Sequence, residues 1–415
     1  MDLIKEVKQM STYARIIVLA LVCILSPSLM WSQGGAPQGI LQAWTDEGFE
    51  DIRLAIHGDT LFAQIEDHSY RGTFRGPATA LRTAAEQLPE LSHFELLLTE
   101  YQMPQMAVHA ALADSVWTVR ADYDMAAIER QLKRQRREAK SDWKVDITVF
   151  PMLSLVNNKL DHLFDWAVRL APAVAVTPWK GGRITLQPIF PIAHRLGATD
   201  TKRCVQIGVA DLRQQLLSSR LCFAEAAAGF FYPDRVGLQA KAGLHAGRNL
   251  DLYIDGGVTY KANNSPSHGF GVVRNSRLIN AMAHADYYEA YTKLQIELQG
   301  GRFLYGDYGG RLDVTRHFGE YAIGLYGILT GGEHNAGFHF AIPFGGKRQK
   351  RTKAVRLRLP EYYAMEYSMQ SFFKYWEENM GQSFATLPDQ NRAAHYWEPR
   401  FVEEYIQRIL NGNFK

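Results

Sequence analysis

Residues 250–260 read Leu250-Asp251-Leu252-Tyr253-Ile254-Asp255-Gly256-Gly257-Val258-Thr259-Tyr260. Leu252, Ile254, Val258 and Tyr260 fall on one parity; Asp251, Tyr253, Asp255 and Thr259 fall on the other. A strand sends successive side chains to opposite faces, so this segment has one apolar face and one charged face. The pattern recurs on both sides of it. Ile184 and Leu186 oppose Arg183, Thr185 and Gln187; Leu238, Ala240, Ala242 and Leu244 oppose Gln239, Lys241 and His245. Leu294, Ile296 and Leu298 oppose Lys293, Gln295, Glu297 and Gln299; Leu312 and Val314 oppose Arg311, Asp313, Thr315 and His317. Turn signals separate the runs, at Lys180–Arg183, Pro233–Arg235, Gly247–Asn249, Gly319–Glu320 and Gly331–His334.

Alternation alone does not say which face is outside. Small soluble barrels fill their interior with apolar side chains, whereas membrane barrels put apolar residues in lipid and polar ones in the lumen. Two further features favour the second arrangement. Aromatics gather near strand ends, among them Trp166, Trp179, Phe190, Phe230, Phe231, Tyr260, Tyr287, Tyr288, Phe303 and Phe318, as in the girdles at a bilayer's two interfaces. The chain also begins with an export signal. Lys5, Lys8 and Arg15 precede an apolar run from Ile16 to Leu29 that Pro27 interrupts, and small residues follow at Ser32–Ala36. That run is too short for a spanning helix of ~20 residues. Cys23 lacks the small preceding residue of a lipid-attachment site and reads as part of the apolar core.

The expectation is therefore a mainly β chain: a transmembrane antiparallel β-barrel preceded by a small α+β periplasmic module, in the outer membrane of a Gram-negative bacterium. Residues 1–33 form the signal peptide, 34–140 the module, 141–346 the barrel and 347–415 a C-terminal extension of strand plus helix. At ~9–11 residues per membrane strand plus a turn, the barrel region predicts about 12 strands. Asn263–Arg277 reads as a long polar loop, and Gly337–Phe344 as a closing strand with Phe338, Phe340, Ile342 and Phe344 on one face. In the module, Ile40–Gly48 and Phe74–Glu90 are helical, Asp51–His57 and Thr60–Glu66 flank a Gly58-Asp59 turn, and His93–Thr99 is a further strand. Met125–Lys140, with six Lys/Arg, predicts a charged, solvated helix.

Composition agrees. Charged residues make up 21%, aromatics 12%, and mean hydropathy is −0.22, far from a helical membrane protein. A net charge of +3 without a dense basic stripe argues against nucleic acid. After signal removal only Cys204 and Cys222 remain, too few for a disulfide framework or a Cys-rich zinc site; spacing leaves open whether they pair.

No cofactor, metal or catalytic set is predicted. By parity Asp251, Tyr253, Asp255, Lys293, Gln295, Glu297, Arg311 and Asp313 point into the lumen, a mix of donors and acceptors suited to sugar hydroxyls. The competing reading is that they pair with one another and fill a narrow bore. His317, His334, His339, Ser265, Ser267 and His268 are candidates for a rim hydrolase, but no G-x-S-x-G elbow accompanies them. Gly306–Gly310 reads as a tight turn rather than a phosphate loop. Carboxylates such as Asp251 and Asp255, or Glu289 and Glu297, pair for glycoside hydrolysis only if neighbouring strands bring them together, since residues four apart on one strand lie roughly 13 Å apart.

At Gly301–Phe318 the chain reads Gly301-Arg302-Phe303-Leu304-Tyr305-Gly306-Asp307-Tyr308-Gly309-Gly310-Arg311-Leu312-Asp313-Val314-Thr315-Arg316-His317-Phe318. This stretch, the Gly-rich strand after it and Ile342-Pro343-Phe344-Gly345-Gly346 resemble the YjbH family of outer-membrane proteins associated with exopolysaccharide and capsule production. Ala226–Phe230, Gly237–Ala242, Gly48–Arg53 and Gly58–Leu61 extend the resemblance, which spans residues 45–345. It implies a non-catalytic role in polysaccharide export or assembly. The implied partners are outer-membrane lipid, the outer-membrane assembly machinery, polysaccharide and other periplasmic or outer-membrane export proteins. A lipid or glycan hydrolase and a diffusion porin are the alternatives.

Overall fold

The computed structural model describes residues 38–70, 73–156, 165–196, 201–265, 269–344, 351–352, 354–368, 378–383 and 397–412. The predicted signal peptide, Cys23, Ser267 and His268 lie outside these residues, as does the side chain of Ser265.

Helix α1 (Gln38–Glu47) leads into a five-stranded sheet in the order β1 (Glu50–His57), β2 (Thr60–Glu66), β3 (His93–Glu100), β4 (Met103–Ala113), β5 (Val116–Asp122). β2 and β3 pair in parallel while the other pairs are antiparallel. A parallel pair needs a crossover, and α2 (Arg75–Gln87) supplies it. Ala80, Leu81 and Ala84 recur at helical spacing and are buried, beside Ile40, Trp44, Phe49 and Phe74. Trp44 Nε1 donates to the Ala80 carbonyl at 3.2 Å, which seats α1 on α2. Gly76 opens α2 against Asp67, where any Cβ would overlap the carboxylate. The short helix α3 (Ala126–Leu132) follows. The expected charged helix thus stops at Leu132, where its apolar contacts (Ile128 and Leu132 on Ala55, Leu97 and Ala107) run out.

The second sheet has 15 strands. β6 (Val145–Val156), β7 (Asp165–Val176), β8 (Gly182–Arg195), β9 (Gln206–Ser218), β10 (Cys222–Phe231), β11 (Arg235–His245) and β12 (Leu250–Ser265) pair in sequence. β13 (Gly269–Val272) folds back on the end of β12, so part of the expected 263–277 loop is a hairpin. β14 (Leu278–Glu289), β15 (Leu294–Arg302), β16 (Tyr308–Phe318), β17 (Tyr321–Thr330) and β18 (Glu333–Pro343) complete the meander. β19 (Val355–Arg358) then pairs in parallel with β6, and β20 (Tyr362–Ser368) pairs with β18. The two ends of the sheet are thus consecutive in the chain, three residues apart (Leu359–Glu361). The count exceeds twelve because some turns shrink to two residues and two strands come from beyond residue 346.

This sheet is inverted relative to a soluble core. On β17, Tyr321, Ile323, Leu325 and Leu329 are exposed, while Ala322, Tyr326, Ile328 and Thr330 are buried. Leu238, Leu244, Leu252, Ile254, Leu298, Leu312 and Leu357 are likewise exposed. Arg169, Arg183, Thr185, Gln187, Asp211, Arg213, Gln295, Asp313, His317 and Asn335 are buried.

One end of the sheet, holding the β7–β8, β9–β10, β11–β12, β14–β15 and β16–β17 turns, faces the five-stranded module; we call it the near end. The last helix, α4 (Pro399–Leu410), packs on α2 and β5. Cys204 precedes β9 at the far end and Cys222 begins β10 at the near end, roughly 40 Å of strand apart; both are free thiols.

Candidate functional site

Adjacent register of β11, β12, β14, β15 and β16 stacks the inward parities into one polar network. Tyr253 donates its hydroxyl to Glu297 at 2.8 Å and lies flat on His284, ring centroids 4.2 Å apart. His284 bridges Asp255 (2.6 Å) and Glu297 (3.2 Å). The Lys241 ammonium sits 4.1 Å above the Tyr253 ring. Gln295 donates to both oxygens of Asp286 and lies 3.1 Å from His317 Nε2. Arg311 forks onto Asp313, with two contacts of 2.8 Å, and onto Glu366 of β20 at 2.8 Å. Asp251 pairs with His245 at 2.8 Å. Of the eight predicted lumen residues, seven therefore join others on the buried face of the sheet. Lys293 instead sits on the β14–β15 turn and pairs with Glu404 of α4.

The rim histidines part company. His317 is buried against Gln295 and the rings of Tyr288 and Phe401; His339 faces in, 3.6 Å from Asp313; His334 is exposed. Asp251 and Asp255 are held by different histidines, and Glu289 accepts from Tyr287 and from the Tyr291 amide at the near end.

The module and α4 cap the near end. Glu50 accepts from Arg351 (2.7 Å) and Lys144 (3.0 Å) beside β6 and β19. Arg183 of β8 donates to Tyr101, and Gly181 N donates to the Tyr101 carbonyl at 2.7 Å. Gln215 meets Gln105 at 2.8 Å, and Ser218 donates to the Pro104 carbonyl at 2.5 Å. Arg220 pairs with Asp124; Arg248 reaches the Ala121 carbonyl and Glu403; Glu320 meets Tyr405 and Arg75. Three successive residues of α4, Glu403, Glu404 and Tyr405, therefore hold three different turns.

Between cap and sheet lies a cleft of about 180 Å³, lined by Tyr123, Phe223, Lys241, Asp286, Trp397 and Glu398 among others. Tyr123 stacks on His245 at 3.6 Å and donates to the Trp397 carbonyl at 2.9 Å. Glu398 caps α4 by accepting from Phe401 N at 2.6 Å; burial pushes its carboxyl up to about 8, against the pull of the Phe401 and Arg400 amides. Beside Glu50, burial and the neighbouring Glu66 push Asp51 up to about 7, and burial likewise pushes Glu66 to about 7. Asp51 adopts φ 52°, a left-handed conformation that Asp tolerates better than most residues.

At the other end, the Gly301–Asp307 stretch builds the β15–β16 turn. Gly301, at φ +149°, lies where a Cβ would overlap the Ala281 carbonyl, and Phe303 N donates to Asp307 O at 2.8 Å. Asp307 accepts from Gly381 N at 2.7 Å, and Leu304 N donates to Gln382 O at 2.9 Å. Met380 is thereby inserted among Met282, Phe303, Tyr326 and Ile328.

Sequence reasoning missed His284, Asp286, His245, Lys241 and the cap residues Tyr123, Trp397 and Glu398. Parity was available for Lys241 and His245, but the cap residues become neighbours only through tertiary contact. Among the described residues no group of three His, Cys, Asp or Glu side chains suits a metal ion. Comparison with family models, curated proteins and solved structures finds no match for this chain.

Proposed function

We propose that the 15-stranded sheet is an outer-membrane β-barrel, capped at its periplasmic end by the module, that serves surface-polysaccharide export or assembly without catalysis. The observation that carries the membrane reading is the inverted polarity of the sheet. Leucines, isoleucines and aromatics cover the outside of strand after strand, and ion pairs fill the inside. In water such an exterior costs about 25 cal/mol per Å² of apolar surface left exposed; in hydrocarbon it does not.

Curvature supports closure. From β6 to β17 there are ten strand spacings, or ~48 Å if the sheet were flat. The module's own sheet spans only four spacings, ~19 Å. With α4 it nevertheless touches β6, the turns between, and the β16–β17 turn. Contacts spread over so wide a stretch of the sheet support a curved rather than a flat arrangement. The segment from Val355 to Ser368, paired to β6 at its start and β18 at its end, brings the two edges together. Satisfying edge groups inside a bilayer demands such closure.

The polysaccharide reading rests on the YjbH resemblance, whose distinctive stretch forms the β15–β16 turn, and on a cleft where aromatic faces stand beside hydrogen-bonding groups. The paired interior and the Met380 segment argue against a wide diffusion pore. Outer-membrane fractions compared with and without boiling test the barrel: a heat-dependent mobility shift is expected, and a soluble periplasmic protein without one refutes it. A deletion strain tests the role: loss of capsule or exopolysaccharide is expected, and unchanged surface glycan refutes it.

A further inference from the structure

The basic run that follows α3 is not spent on a solvated helix. Because the helix ends at Leu132, the chain turns, and Arg130, Lys133 and Arg137 come to line one side of a groove of about 590 Å³. Arg53 of β1 and Lys180 of the β7–β8 turn line it too, so the lining holds five cations and one carboxylate, Glu129. Arg137 is engaged by Asp142 and lies 3.2 Å from Asp51. Arg53, Lys133 and Lys180 form no ion pair among the described residues, and the Arg53 Nε is buried without a hydrogen-bond partner. Charges left uncompensated in a concavity focus a field that draws an anion.

The shape and lining narrow the ligand. No aromatic side chain lines the groove, so nothing stacks on nucleobases. Arg130, Lys133 and Lys180 are exposed at the edge of the groove, while Arg53 and Arg137 are half-buried within it. Several cations from three separate elements, strung along an open groove, match a chain with repeated negative charges. The groove also adjoins the cap: Gln102 and Pro104, beside the contacts to β8 and β9, line its wall.

We propose that this groove binds a carboxylated glycan chain, a uronate-bearing polysaccharide, at the rim of the barrel's near end. This rests on the polysaccharide reading above and specifies the charge of the polymer.

The test uses full-length protein in detergent, verified as folded by its heat-dependent mobility. Binding of polygalacturonate oligosaccharides, neutral dextran oligosaccharides and glycerophosphoglycerol, the water-soluble headgroup of phosphatidylglycerol, is measured by calorimetry. The variant combines Arg130→Glu, Lys133→Glu and Lys180→Glu; Arg134→Glu, on the same run but outside the groove, is the control. Uronate binding should fall at least about tenfold in the triple variant, change less than about twofold in the control, and weaken as salt rises through 0.15 M, where screening acts over about 8 Å. Equal losses in control and variant would mean unspecific attraction and overturn the proposal. Binding of the glycerophosphoglycerol headgroup alone would assign the groove to lipid and also overturn it. Binding of dextran but not uronate overturns the acidic-glycan assignment while sparing the polysaccharide reading. Absence of any glycan binding, with surface glycan unchanged in the deletion strain, removes both.

Discussion

Leu325 sits at the middle of β17, opposite Val314 on β16 and Phe338 on β18, with 67% of its surface exposed. It is four residues from Tyr321, ~13 Å along the strand, which on the proposed barrel places it near the centre of an apolar band about 25 Å tall. Leu325→Arg therefore separates the two environments the outer face can have. In lipid, an arginine at the midplane costs roughly 2–4 kcal/mol. In water, replacing an exposed leucine stays within about 0.5 kcal/mol. Tyr321→Arg, at the strand's near-end rim, is the internal control and should cost no more than about 1 kcal/mol. The assay is equilibrium folding from urea into phosphatidylcholine vesicles, followed by tryptophan fluorescence and read out by heat-dependent mobility. A Leu325→Arg change within about 0.5 kcal/mol of wild type, and equal to Tyr321→Arg, would refute the reasoning from inverted polarity.

Three further outcomes follow from the cap. Asp51 is a carboxyl raised from 3.8 to about 7, so the folded state holds its proton more tightly than the unfolded one. Its contribution is complete below pH 3.8 and is lost as pH rises through 7, on the order of 4 kcal/mol; Asp51→Asn should flatten the fall in module stability between pH 5 and 8, and parallel profiles for the two proteins would contradict this. His109 is raised to about 9 by hydrogen bonds to Asp122 and Glu95, so its stabilisation is full below pH 6.5 and vanishes above pH 9. His109→Gln should speed hydrogen exchange in β3–β5 at pH 7, by about 1–2 kcal/mol, and leave it unchanged at pH 10. The Arg248–Glu403 pair, about a third exposed on each side, should show a coupling of about 0.5–1 kcal/mol in a double-mutant cycle with Arg248→Ala and Glu403→Ala; additive effects on the protection of α4 would deny it a docking role.

The strands β8, β11, β12, β15, β16 and the closing part of β18, with most elements of the module, are legible in the chain because they rest on local rules. Two-residue periodicity marks Leu252, Ile254 and Val258 against Asp251, Tyr253 and Asp255, and turn residues at Gly247–Asn249 and Gly319–Glu320 bound the runs. The same rules mislead at Met125–Lys140, where charge density reads as helix although apolar contacts end at Leu132. Other features are decided only by tertiary structure. Period two is unchanged when the faces are exchanged, so only the assembled sheet shows that leucines lie outside and the Arg311–Asp313 and Tyr253–Glu297 contacts inside. The pairing of Val355–Arg358 with β6, some two hundred residues earlier in the chain, carries no local signature. Nor does the way Glu403, Glu404 and Tyr405 reach three separate turns. Such contacts arise from closing long loops at modest entropic cost, and their partners are chosen by what folding brings within a few ångströms rather than by neighbours in the sequence.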